Sequence, residues 1–183
     1  MTDRQRRLYN SLAPAKRTEA EHGGFQANTS EGALIGPFNS YFYVPDISDG
    51  YIAWIEAQHD HLPFTREVRE AVILTVGAAC NAPFELCAHR AVARSAGLAP
   101  DTIEALATGA APKALSKEGR VARDFTRALV IRHEIDDALY AEAHAVFGDA
   151  GLVATTHLIG PYLSAPAVLN AFRVPAPDGS VAA

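Results

Sequence analysis

Cysteine is scarce in this chain, with two residues in 183. Two thiols do not build a disulfide framework, so a reduced, cytoplasmic setting is expected. No basic excess is present either: 16 Lys and Arg face 21 Asp and Glu, for a net charge of −5. Apart from Arg4, Arg6 and Arg7 near the N-terminus there is no basic cluster, which argues against a nucleic-acid partner. The opening MTDRQRRLYNSLAP has no apolar run, so no secretory signal is expected in it. Residues 150–172 lack Asp, Glu, Lys and Arg and are long enough to span a bilayer. They also hold Thr155, Thr156, His157, Ser164, Asn170, Pro161 and Pro166, which favours a buried helix, interrupted near Gly160, over a membrane span. Catalytic and metal signatures are missing too. There is no H-E-x-x-H, no zinc-type Cys/His spacing, no G-x-S-x-G and no Gly-rich phosphate loop. Neither an internal repeat nor an alternating strand pattern with Asn-Gly turns occurs.

What remains is a series of helical patterns. Residues 1–32 are weakly patterned and read as an arm or a short helix. Pro45-Asp46 opens a helix to about His61, with Ile47, Tyr51, Trp54 and Ile55 at helical spacing. Thr65 is a good N-cap, with Glu67 in the first turn that follows. The body of that helix, AVILTVGAAC, is apolar on every side and predicts full burial. Pro83 ends the segment and suits the first turn of the next helix, which Gly97 closes. Further helices are expected from Pro100 to near Gly109, over 117–132, over 136–147 and over 152–172. The expectation is a single all-α domain over 33–175, with a loose tail at 176–183.

The stretch NAPFELCAHRAVARSAG concentrates the chemistry. Glu85 and His89 stand at i and i+4, on one helix face, while Cys87 is two residues from each and points elsewhere. A carboxylate beside an imidazole raises its pKa and fixes its tautomer, as a general acid–base pair requires. A solvated Glu–His pair in a first helical turn has the same spacing. Glu70 lies beyond its helix's first turn and directly precedes the apolar run, so burial would suit it to proton relay. An ordinary glutamate paired with Arg66 is the alternative there. Arg90 or Arg94 is a candidate for a substrate carboxylate, with a solvated helix face as the alternative, and His157 is a second pocket candidate or a core histidine. Glu70, Glu85 and His89, or His59-x-His61, also invite a metal reading, which the spacing supports less well.

The segment REVREAVILTVGAACNAPFELCAHRAVARSAGLAPDTIEALATG resembles the centre of the carboxymuconolactone decarboxylase family, which includes the AhpD-type alkylhydroperoxidases. Glu70, His89 and Ala96-Gly97-Leu98 carry the likeness, and GPFNSYFYVPDIS and LIGPYLSAPAVLNAFRVP extend it on both sides. The peroxidase branch places C-x-x-C where this chain has Ala82 and Glu85, so Glu85 is instead similar to the E-x-x-x-H of decarboxylase-like members. The resemblance implies a helical protomer of AhpD-like type, assembled as a trimer or hexamer. It also implies cofactor-free decarboxylation of a small carboxylated lactone or related acid, with His89 donating a proton, Glu85 orienting it and Glu70 relaying. Two rivals stand beside this expectation. One is a thiol peroxidase using Cys80 or Cys87, and the other is a non-catalytic helical oligomer with a binding role.

Overall fold

A computed structural model of the chain describes residues 1–26, 28–29 and 31–177. Among these residues the regular structure is helical, apart from one isolated bridge between Asn28 and Leu34. The first helix, α1 (Asp3–Gly23), is long where an arm or a short helix was expected. Thr2 accepts from the Gln5 backbone, and the Gln5 side chain bonds back to the Thr2 N–H, closing a capping box. Leu8, Leu12 and Ala13 form a narrow apolar stripe that packs on Leu34, Tyr41 and Phe42. That stripe is short against 21 residues, which is why the sequence pattern looked weak.

One turn, α2 (Phe38–Tyr41), leads into α3 (Pro45–His61). Next comes α4 (Arg66–Ala79), capped as expected by Thr65, whose hydroxyl accepts from the Val68 N–H. This helix is the axis of the fold. From Val68 to Gly77 every residue but Arg69 is buried, and its neighbours include α5 (Pro83–Ser95), α6 (Pro100–Ala107), α7 (Lys117–Arg127) and α8 (Asp137–Ala171). Burying one side chain such as Leu74 stabilises the fold by about 1.5–3 kcal/mol. The sheer number of such residues explains why a β-branched run stays helical here. Gly77 sets the distance between α4 and α5: a Cβ there would come within 3.0 Å of Leu86 Cδ2. Asn81, at φ 48°, reverses the chain, and Pro83 starts α5 in its first turn.

The helix expected over 117–132 is present, as α-helix to Arg127 and π-helix over Ala128–Arg132. One expectation needs correction. The last apolar segment is not interrupted near Gly160. α8 runs through Gly160 and Pro161; its kink is at Gly148 (φ 63°), which divides it into two helices in keeping with the helices expected over 136–147 and 152–172. Pro161 removes only one rung of the ladder, and Gly160 leaves room for the Trp54 ring, to which a Cβ would approach within 2.5 Å. By length and composition α8 could cross a membrane; here Leu158 and Ile159 pack on Val68, Val72 and Val76 of α4. The tail expected at 176–183 lies, from residue 178 on, outside the described residues.

Candidate active site: a buried carboxylate–imidazole–carboxylate cluster

The close approach of α4 and α5 brings Glu70 and His89 together. His89 Nδ1 lies 2.9 Å from Glu70 Oε2. A carboxylate only accepts, so Nδ1 carries the hydrogen and donates it to Glu70. The other ring nitrogen, Nε2, then faces Glu85 Oε1 at 3.8 Å, too long for a hydrogen bond. The i,i+4 pair expected from sequence is therefore the looser contact, and the partner from the neighbouring helix is the tight one. Glu70 bonds His89 here, not Arg66.

Both carboxyl groups are buried, with Glu70 at 5% and Glu85 at 6% relative exposure. That decides their status, because carboxylates in such places are either held or functional. Glu85 Oε1 has no hydrogen-bond partner. Burial pushes the Glu85 pKa up; the nearby His89 works against this and Glu70 adds to it. Glu85 thus gives up its proton less readily than an exposed glutamate, and it faces Nε2 across 3.8 Å while Glu70 holds the ring from the other side. That is the arrangement of an acid–base couple.

Aromatic groups close the cluster. The Tyr162 ring of α8 stands edge-on to His89, with centroids 5.2 Å apart. Tyr41 and Tyr51 pack with centroids 5.3 Å apart. Burial raises both phenols, and the charge of Glu85 raises each further. The sequence reading did not single out Tyr41 or Tyr162 as site residues, although both stand in the flanking pieces that extended the family likeness. Tyr51 entered only as a helix-face residue.

The remaining candidates lie differently. Cys80 caps α4, half-buried; burial first and Glu85 second push its thiol pKa up, which opposes nucleophilic use. Cys87 is half-buried on α5, and Cys80 and Cys87 are not joined in a disulfide. Arg90 is engaged by Glu104 through Nε at 3.0 Å and Nη2 at 3.3 Å, so its guanidinium is not open to a substrate carboxylate. His157 is exposed on α8, neither core nor pocket; the Trp54 indole N–H donates to its Nδ1 at 3.2 Å. His59 and His61 are exposed at the end of α3. Among the described residues no group of three or more His, Cys, Asp and Glu is arranged to hold a metal ion, Glu70, Glu85 and His89 included. A cleft of about 490 Å³ opens elsewhere, lined by Leu34, Ile35, Phe84, Val168, Phe172 and Val174 among others. None of the three cluster residues lines it.

No family model matches the chain, and neither a curated protein nor a solved structure gives a significant match.

Proposed function

We propose that the chain is an acid–base enzyme of the decarboxylase-like branch of the carboxymuconolactone decarboxylase family, acting on a small carboxylated lactone or related carboxylic acid. One observation carries this reading: Glu85, buried, inclined to hold its proton and unpartnered at Oε1, faces a histidine that Glu70 fixes from the other side. In the proposed reaction the bond to the substrate carboxylate breaks and carbon dioxide leaves. The electron pair moves into the conjugated lactone carbonyl, so no cofactor is needed as a sink. The proton shared by Glu85 and His89 is delivered to carbon, and solvent restores it. The resemblance of residues 66–109 to the family supports the substrate class. It also motivates the proposal of a cytoplasmic homo-oligomer, trimer or hexamer. The raised thiol of Cys80 weighs against the peroxidase alternative.

The test is carbon dioxide release from a panel of five- and six-membered carboxylated lactones. Wild type should turn over at least one of them, and His89→Ala should lose about 10²-fold or more. Equal rates for the two proteins, or release that depends on the cysteines, would remove the proposal.

A further inference from the structure

We infer that α3 is a clamp for the site: Tyr51 and Trp54 are positioning residues that seat Tyr162 against His89 by gripping the opposite side of α8. The Tyr51 hydroxyl donates to the Pro161 carbonyl at 3.0 Å. The Trp54 indole N–H donates to His157 at 3.2 Å, and its ring lies directly on Gly160. Residues 157, 160 and 161 follow helical spacing and form one face of α8. Tyr162 points away from that face and meets His89.

The grip falls where α8 is least able to hold itself. Pro161 and Pro166 have no N–H to give, so two rungs of the ladder are missing around this turn. A helix softened there does not by itself fix the Tyr162 ring. Bonds from α3 supply the constraint, and they reach the site through α8 without touching His89. The groups facing the imidazole include Glu70 from α4, Glu85 from α5 and Tyr162 from α8, with Tyr41, Tyr51 and Cys80 near enough to interact with Glu85. The clamp's catalytic relevance rests on the acid–base reading of the cluster; its mechanical role does not.

The experiment is NMR of the His89 ring in the full-length protein, recording resonance positions and titration midpoint. Tyr51→Phe keeps the ring and loses the hydroxyl; Trp54→Phe keeps an aromatic group and loses the indole N–H. Each variant is compared in the wild-type and the Tyr162→Leu backgrounds. Each substitution should move the His89 resonances and midpoint in the wild-type background, with that effect lost once Tyr162 is Leu. Unmoved resonances, including a case where only thermal stability drops, would overturn the clamp. Equal movement in both backgrounds would do the same, because the influence would then not pass through Tyr162. Should Tyr51→Phe fail to fold, Trp54→Phe gives the same reading from the other bond. Coupled resonances in a protein that releases no carbon dioxide would leave the clamp standing and remove the enzyme reading.

Discussion

Exchanging Glu70 for glutamine removes a charge 2.9 Å from His89 Nδ1 while keeping the side chain's shape. The same exchange at Glu85 acts from 3.8 Å on the other nitrogen. By distance alone the second should count for about three-quarters of the first. Burial lowers that ratio further, because a raised pKa keeps the Glu85 carboxyl neutral over a wider pH range, and a neutral group exerts little pull on an imidazolium. An opposite charge in direct contact shifts a pKa by about 1–3 units, and partial exposure of His89 places this case near the lower end. Glu70→Gln should therefore lower the His89 pKa by about 1–2 units, or about 1.4–2.7 kcal/mol between protonation states. Glu85→Gln should lower it by less than Glu70→Gln does. Proton or nitrogen NMR titration of His89 in the three proteins measures this without any substrate. A larger effect from Glu85 than from Glu70 would refute the ranking of the two contacts and the burial-raised pKa of Glu85. No effect from Glu70 would mean that the 2.9 Å contact is not made in solution.

The Glu85 carboxyl titrates above its ordinary value of 4.5 in the folded chain. From that value up to the raised one, the folded state holds a proton that the unfolded state has lost, so stability falls as pH rises through the window. Glu85→Gln should flatten this decline and melt no lower than wild type at pH 8, as followed by circular dichroism. Replacing both Cys80 and Cys87 with Ser should leave turnover largely intact, and a hydroperoxide-reduction assay active in wild type but dead in the double variant would reverse the branch assignment. Leu74→Ala, at a fully buried position on α4, should cost about 2–5 kcal/mol in urea unfolding. Sedimentation at micromolar concentration should show a homo-oligomer, and a stable monomer would count against the proposed assembly.

Much of the helical order was legible because its signals are local. Thr65 as a cap, Pro83 in a first turn and the all-apolar body after Glu70 each act within a few residues. α1 was harder to read, since one stripe of Leu8, Leu12 and Ala13 leaves most of its face polar. Gly160-Pro161 misled because the sequence does not show that Trp54, over a hundred residues away, fills the space above the glycine. The site was legible as residues but not as a pairing. Periodicity within α5 pointed to Glu85 and His89, whereas the shorter contact, Glu70 to His89, depends on the reversal at Asn81 and the close approach at Gly77. The aromatic wall of Tyr41, Tyr51 and Tyr162 comes from three separate helices, and no local pattern announces such a convergence. Arg90 shows the converse: an exposed-face arginine looked available, and its salt bridge to Glu104 on α6 was not visible from spacing.

The most direct test of the acid–base claim is proton exchange at carbon, because it does not depend on the fate of the substrate. A small carboxylated lactone is incubated with the protein in D2O, and deuterium entering the carbon next to the carbonyl is followed by mass spectrometry. Wild type and the Cys80→Ser, Cys87→Ser double variant should accelerate incorporation alike, Glu70→Gln should slow it, and His89→Ala should abolish the acceleration. Incorporation by His89→Ala at the wild-type rate, or none above buffer by wild type across the lactone panel, would contradict the assignment of acid–base chemistry to Glu70, Glu85 and His89.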